Sequence, residues 1–328
     1  MIGNIVRSAT IVMYHYVREI KNSRYPRIRG LEVKEFEEQL VYLKRYYQPI
    51  TAEDLFQAVS NNERLPPNAV LLTFDDAYSD HFSNVFPLLV KHGFSGCFFP
   101  AADSIMNHRL LDVNKIQFTL AVEKNIHLLV EAIFEMIQKN RELHNLESDE
   151  YYWNEFATPN RWDTEEVMFV KKILQKGLNE DLRKTIIDKL FSYFVSEDET
   201  AFSNELYMSM DQLKCLKECG MYIGSHGNKH NWLASLSAKE QEQEIDSSLD
   251  FLENLGVDRF RWMMCFPYGS YNQDTLRLLK EKNCIVGLTT RVGLMSLADN
   301  PLEMPRLDTN DLPKVSDSQP NKWTRAVL

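Results

Sequence analysis

The stretch AVLLTFDDAYSD, Ala69–Asp80, leads an apolar run directly into two neighbouring acids, Asp75 and Asp76. Strand residues alternate between the two faces of a sheet, so both carboxylates cannot enter one core while the strand stays regular. The two acids must therefore lie where the strand ends, which in α/β barrels is where the chemistry takes place. The alternative is that one acid caps the following helix while the other is solvated.

Short apolar runs alternate with helix-period segments along most of the chain, which is typical of βα units and a largely parallel sheet. Because the runs are continuously apolar, both faces of the strands should be covered, as in an α/β barrel. The sequence predicts strands within residues 9–17, 69–75, 95–100, 220–225, 261–267 and 284–290.

Residues 108–212 differ from this pattern, since they carry helix-period stretches with almost no strand signal between them. We interpret this segment as a helical insertion in one βα loop of a single domain over residues 1–328. Its aromatic cluster could line a sugar cleft or pack the insertion onto the barrel; it comprises Tyr151, Tyr152, Trp153 and Trp162.

Composition excludes several classes of protein. The net charge of -10 argues against nucleic acid as a partner, because phosphate binding needs clustered Lys and Arg. No apolar run reaches the length of a membrane helix. The five cysteines are odd in number and sparse, so we expect buried free thiols rather than a disulfide framework. No secretory signal is evident at the start, so a cytoplasmic location is expected unless an export signal was trimmed; a peripheral membrane association stays open.

Two histidines, His226 and His230, stand four residues apart directly after the predicted strand at 220–225. This spacing lets two imidazoles converge on one ion if the segment takes a helical turn. Two imidazoles and one carboxylate form an open metal site that leaves positions for water and substrate. A chance pairing among the eight histidines is the alternative.

A third motif, FPYG, comes directly after the strand residues 261–265 and comprises Phe266, Pro267, Tyr268 and Gly269. Pro and Gly around a Tyr favour a rigid turn, in which a backbone N–H can face a reaction centre as an oxyanion donor. An ordinary surface turn would give the same sequence.

TFDD, SHGNKH and FPYG occur in this order, each after a predicted strand. Together they resemble the first three motifs of the polysaccharide deacetylases, also called the NodB-homology or carbohydrate esterase 4 family. The resemblance covers about residues 8–104 and 205–310, outside the insertion. It implies a distorted (β/α) barrel that removes acetyl groups from polymeric sugars with one divalent metal ion.

Carried over by position, the resemblance implies that Asp75 is the general base. Asp76, His226 and His230 would bind the metal, with Zn first and Co, Ni, Fe or Mn as alternatives. The FPYG turn resembles the wall of the substrate groove, with the Tyr268 backbone N–H as oxyanion donor. An N-acetylated glycan would be the substrate.

The sequence departs from the family pattern at the third motif, where Cys265 stands in place of an Arg that tethers the catalytic base. Arg306 is a candidate replacement, which we group with the substrate-binding residues. A loop arginine paired with Asp308 is the alternative.

The second departure is the absence of a late Leu-x-His motif, since no histidine follows His230. His15, at the end of the first predicted strand, lies in a MYH sequence that resembles the subgroup acting on poly-N-acetylglucosamine, in which the motif order is permuted. We expect His15 to be the general acid that protonates the leaving amine. A structural histidine at a strand end is the alternative.

Other functions stay open at this stage. A glycoside hydrolase would explain two carboxylates but not the histidine pair. A non-catalytic glycan-binding protein on a degenerate barrel would account for Cys265, and an amidase acting on a small amide would suit a groove closed by the insertion.

Overall fold

The computed structural model describes residues 8–160 and 163–328. The chain divides into two compact units. The first contains the described residues up to Glu19, with Gly30–His108 and Asn204–Leu328; the second contains Ile20–Arg29 and Arg109–Ser203. The single domain over 1–328 with an insertion at 108–212 stays a prediction. The second unit also contains Ile20–Arg29, which the predicted insertion does not include.

The first unit is built on a sheet of nine strands within the described residues. The strands are β1 (Ser8–Tyr14), β2 (Gln48–Pro49), β3 (Ala69–Asp75), β4 (Gly96–Phe99), β5 (Tyr222–Ile223), β6 (Trp262–Cys265), β7 (Cys284–Val292), β8 (Met295–Ser296) and β9 (Met304–Asp308). Their main path runs β5-β4-β3-β1-β9-β7-β6, and every pair along it is parallel.

The two ends of this path are joined through Ser225, which follows β5. The Ser225 N–H donates to Met263 O at 3.0 Å, and the Cys265 N–H donates to Ser225 O at 2.8 Å. These bonds make a parallel bridge between Ser225 and Met264 and close the sheet on itself. The result is the expected distorted (β/α) barrel, with the carboxyl ends of its parallel strands at one end.

Helices connect the strands and build the second unit. They are α1 (Val33–Tyr46), α2 (Ala52–Asn61), α3 (Phe86–His92), α4 (Ala102–Met106), α5 (Asp112–Val122), α6 (Ile126–His144), α7 (Asp149–Phe156), α8 (Glu165–Lys172), α9 (Glu180–Phe194), α10 (Glu199–Leu206), α11 (Met210–Glu218), α12 (Ala238–Asn254), α13 (Gln273–Glu281) and α14 (Lys322–Val327). A capping box at Ser237 and Glu240 begins α12, since each residue's side chain accepts from the other's backbone N–H.

The second unit has an apolar core of its own, formed mainly by α6, α8 and α9. Tyr152 is buried in this core and therefore does not line a sugar cleft, whereas Trp153 is partly buried and packs against the core. Tyr151 is exposed, and Trp162 lies outside the described residues. Lys115 is almost fully buried, with Asp188 and Glu199 as its ion-pair partners.

The six predicted strands are confirmed, because fully buried runs such as β3 pack on both faces. Three further strands were missed: β2 and β8 have two residues each, and β9 contains a proline and an arginine. All five cysteines are free, but Cys219 is exposed, contrary to the expectation of burial. Within the described part of the chain, no helix has both the length and the apolar character needed to cross a membrane.

Candidate active site

The ends of β1 and β3 bring His15 and Asp75 together. The two strands are parallel, and their register pairs Tyr14 with Phe74, so the next residue of each strand is also adjacent. His15 Nε2 lies 3.9 Å from Asp75 Oδ2. The two side chains differ in exposure, since 43% of the His15 side chain is accessible and only 2% of the Asp75 side chain is. A buried carboxylate thus lies beside a partly exposed imidazole.

Arg306 forms hydrogen bonds to both carboxylate oxygens of Asp75. Its Nη1 and Nη2 donate to Asp75 Oδ1 and Oδ2, each at 2.9 Å, and this side chain is completely buried. Burial alone would raise the pKa of Asp75, but Arg306, together with His226 and His15, holds that pKa at about 2. Asp75 is therefore ionised and fixed in orientation.

Two sequence interpretations of Arg306 need correction. It lies in β9 and pairs with Asp75, so the alternative interpretation as a loop arginine paired with Asp308 is wrong. Its guanidinium also donates to Thr289 O and Thr73 Oγ1 inside the barrel. A side chain enclosed in this way contacts Asp75 rather than the space open to a substrate, which does not fit its grouping with the substrate-binding residues.

The chain leaves β3 in a left-handed turn that redirects the second acid. Asp76 has φ 69° and Ala77 has φ 53°, a conformation that residues other than glycine rarely adopt. Both carboxylates can then lie at the same end of the barrel, and Asp76 is as buried as Asp75. The alternative in which one acid is solvated is therefore wrong.

Asp76 offers one oxygen to the barrel mouth. The Tyr78 hydroxyl donates to Asp76 Oδ2 at 2.7 Å, whereas the buried Oδ1 has no hydrogen-bond partner among the described residues. Burial and the neighbouring Asp76 raise the pKa of Tyr78 well above its usual value, so the hydroxyl keeps its proton. Buried polar atoms are rarely unpartnered, so this oxygen is available to bind an ion or a water molecule.

The two histidines face this free oxygen. His226 Nε2 and His230 Nε2 each lie 3.4 Å from Asp76 Oδ1, and the two nitrogens are 3.2 Å apart. His226 Nδ1 lies 2.8 Å from the Cys265 carbonyl oxygen, to which only a protonated nitrogen can donate. In the neutral ring, Nε2 then presents its lone pair to Asp76. Burial, followed by the charge of His226, lowers the pKa of His230 to about 3, so the His230 ring is neutral. For His226, burial is outweighed by the contacts with Cys265 and Asp76, which raise its pKa well above the usual value, so binding of a metal at Nε2 would displace a proton.

This donor set fits a divalent metal ion. One ligand atom from each of Asp76, His226 and His230 lies within 4.8 Å of the other two, and all three residues are buried. A metal-binding histidine usually donates its second N–H to a carbonyl or carboxylate, as His226 does. Asp75, His226 and Cys265 form a second group of this kind, but burial raises the pKa of the Cys265 thiol, which favours the protonated form that does not bind metal.

The loop that carries the histidines is held from α12 and α4. Glu244 accepts from the backbone N–H groups of Asn228 and Lys229 at 3.2 and 2.9 Å. The N–H groups of Ala102 and Asp103 donate to the carbonyls of Gly227 and Asn228. His230 itself has φ 59°, so these contacts maintain a backbone conformation that an isolated loop would avoid.

The FPYG motif forms a single tight turn beside His230. Phe266 and Pro267 are buried, whereas Tyr268 and Gly269 are half-buried. Tyr268 has φ 57°, and its ring contacts His230 edge-on at 4.6 Å and stacks on Trp232 at 4.3 Å. The turn is therefore part of the wall around the two histidines. Its role as an oxyanion donor stays a prediction.

The predicted residues Asp75, Asp76, His226, His230 and His15 thus converge at one end of the barrel. Sequence reasoning missed Tyr78, Glu244 and Trp232, which hold or flank them. Tyr78 could have been found from its position two residues after Asp76. Glu244 gave no such signal, because an acid in a charged helix is usually solvated.

A barrel of parallel strands with a buried Asp and two histidines at its carboxyl end defines a distorted (β/α) barrel of the NodB-homology type. The polysaccharide deacetylase family model matches residues 189–285, which include both histidines and the FPYG turn. This part of the chain is therefore similar to the polysaccharide deacetylase family.

Similar proteins agree with this family. The Bacillus subtilis protein named "Putative polysaccharide deacetylase YxkH" is 30% identical over 96 residues, which cover 29% of this chain. The Escherichia coli poly-beta-1,6-N-acetyl-D-glucosamine N-deacetylase is 32% identical over 80 residues, or 24% of this chain. The chain spans only 32% and 12% of the lengths of these two relatives.

Among solved structures, the fold resembles the Streptococcus pyogenes deacetylase PplD, with a TM-score of 0.57 and 18% identity over 94% of this chain and 93% of that one. IcaB from Ammonifex degensii gives a TM-score of 0.56 and 17% identity over 98% and 96%. At these identities the likeness concerns the fold alone.

Proposed function

We propose that this protein is a metal-dependent hydrolase that removes N-acetyl groups from an amino-sugar-containing polysaccharide or glycan precursor. The observation that carries the proposal is the convergence of His226 Nε2 and His230 Nε2 on the unpartnered Asp76 Oδ1. The family match over residues 189–285 and a relative named for N-deacetylation of poly-N-acetylglucosamine support the same reaction.

The metal ion would be held by Asp76, His226 and His230. When bound, a divalent ion polarises a carbonyl group and makes a water molecule more acidic. Zn is our first assignment, and Co, Ni, Fe or Mn would suit the same donors.

Asp75 would act as the general base. Its low pKa keeps it ionised at neutral pH, and the two hydrogen bonds from Arg306 fix its orientation. A carboxylate in this state can accept the proton of the attacking water. This pairing favours a working enzyme over a glycan-binding protein on a degenerate barrel, because Arg306 supplies the contact that Cys265 cannot make.

His15 would supply the proton that the departing amine needs. Its imidazole lies next to Asp75 and is accessible from outside, where a sugar would approach. The Tyr268 N–H would stabilise the negative oxygen of the tetrahedral intermediate, a contribution of about 2.7 to 4 kcal/mol for a typical donor.

The proposal is tested by measuring acetate release from N-acetylglucosamine oligomers. Metal-stripped protein should be inactive, and restoring a divalent ion should restore release. Asp75→Asn should abolish it, whereas Asp250→Asn, an exposed acid on α12, should not. No release by protein that carries one equivalent of metal would move the assignment to another amide or to a binding protein. The expected cytoplasmic location stays a prediction that cell fractionation would test.

A further inference from the structure

Tyr78 lies directly behind the proposed metal site. It follows the left-handed pair Asp76 and Ala77, and its own side chain is buried. Its ring stacks on Tyr16 at 4.0 Å, with an interplanar angle of 19°. On another side it stacks on Tyr207 at 6.1 Å. The ring therefore has little freedom to move.

The backbone around Tyr78 is fixed as well. Tyr78 and Tyr207 form an isolated antiparallel bridge, and the Met208 N–H donates to Ala77 O at 2.9 Å. These bonds brace the turn from the segment that precedes α11. A strained turn persists only where its surroundings determine it, and here both the main chain and the ring are held.

Because the ring and the main chain are fixed, the Tyr78 hydroxyl is held in one position next to the Asp76 carboxylate. A carboxylate can only accept, so the 2.7 Å contact with Asp76 Oδ2 is a hydrogen bond donated by Tyr78. Since Oδ2 is occupied, Oδ1 alone faces the two histidine nitrogens at 3.4 Å. Without the hydroxyl, the carboxylate could rotate about its last bond and present either oxygen or both.

We propose that Tyr78 is a positioning residue that makes Asp76 a one-oxygen ligand of the metal. The inference rests on the proposed function, because it requires a metal at Asp76, His226 and His230. It adds to that function a determinant of metal affinity and coordination number that lies outside the ligand set.

The test is a titration of metal-stripped protein with Co²⁺ alone, following the visible absorption of the bound ion. Tyr78→Phe keeps the stacked ring and removes only the hydroxyl. We expect about 10- to 100-fold weaker binding, the usual loss when a residue that orients a ligand is changed. The absorption should also weaken, because a carboxylate that binds through both oxygens raises the coordination number.

Tyr14→Phe is the matched control. Tyr14 is a fully buried tyrosine of β1, but its hydroxyl has no hydrogen-bond partner among the described residues. Its removal should leave Co²⁺ affinity and absorption unchanged. Tyr78→4-aminophenylalanine restores an N–H donor at the same place and should recover both properties.

Unchanged affinity and absorption in folded Tyr78→Phe would overturn the inference while leaving the deacetylase proposal intact. Weak binding that 4-aminophenylalanine does not rescue would also overturn it, since the loss would then be structural. If Tyr78→Phe does not fold, 4-fluorophenylalanine replaces it as the variant that fills the volume without donating. Failure of the wild-type protein to bind Co²⁺ would refute the metal site itself, a result distinct from the other two.

Discussion

Replacing Arg306 with Met should both destabilise the fold and slow the reaction. In the native protein, Arg306 is the largest attraction that offsets the burial of Asp75, and it makes two hydrogen bonds to that carboxylate. Methionine fills a similar volume without charge or donors. Asp75 would then remain buried and ionised at neutral pH, without its main partner.

The magnitude follows from the pKa of Asp75. That pKa falls from 3.8 to about 2, and each pKa unit corresponds to about 1.4 kcal/mol, so ionised Asp75 is favoured in the fold by about 2–3 kcal/mol. Because the folded pKa is depressed, this stability is present above pH 4 or so and is lost as the pH falls towards about 2. Removing one partner of a buried pair typically costs about 3–5 kcal/mol, since the remaining charge is uncompensated.

The assay is urea unfolding at about pH 7 and about pH 4.5, where the raised pKa of Asp75 in the variant lets it take up a proton. We expect the loss of about 3–5 kcal/mol at the higher pH to shrink at the lower one. Arg261→Met, which removes an exposed ion pair with Glu53, should cost about 0–1 kcal/mol at both. Turnover should fall in Arg306→Met without loss of bound metal. A small, pH-independent loss of stability with full turnover would refute the reasoning.

Three further changes test other contacts. His15→Ala should lower turnover by about 10²- to 10⁴-fold without weakening metal binding, and unchanged turnover would exclude its role as general acid. Glu244→Ala leaves two N–H groups of the histidine loop without their acceptor and should cost about 1–3 kcal/mol in urea unfolding. Gly269→Ala places a Cβ 2.1 Å from Thr290 Oγ1 at φ +68° and should destabilise by more than Gly93→Ala, which has a similar φ but open space. Equal losses in the two glycine variants would show that the clash is relieved.

The predicted strands and the three motifs could be identified because local patterns determine them. Fully buried strands such as β3 are continuously apolar, and at β3 a change from apolar to charged residues marks the point where the strand ends. Their convergence followed from the rule that parallel strands share one functional end.

Contacts between residues that lie far apart in the sequence were harder to predict. The pairing of Arg306 with Asp75 joins positions 231 apart in sequence, and β9 resembles a loop because it contains Pro305 and a buried charge. An arginine inside a barrel can be recognised only once its carboxylate partner is known. The buried Arg306 that pairs with Asp75 also interrupts the apolar pattern by which a buried strand is recognised in a sequence.

The closure of the barrel has a further consequence for the site. The two ends of the sheet are joined at Ser225, and the next residue is the proposed metal ligand His226. The His226 ring donates to the Cys265 carbonyl on the other side of the same junction. An ion held by His226 would therefore stabilise the junction between the two ends of the sheet, which among the described residues is a single bridge. Amide exchange at Ser225 and Cys265 should therefore slow when metal binds. The free energy of metal binding would add to the free energy of opening the barrel at this junction.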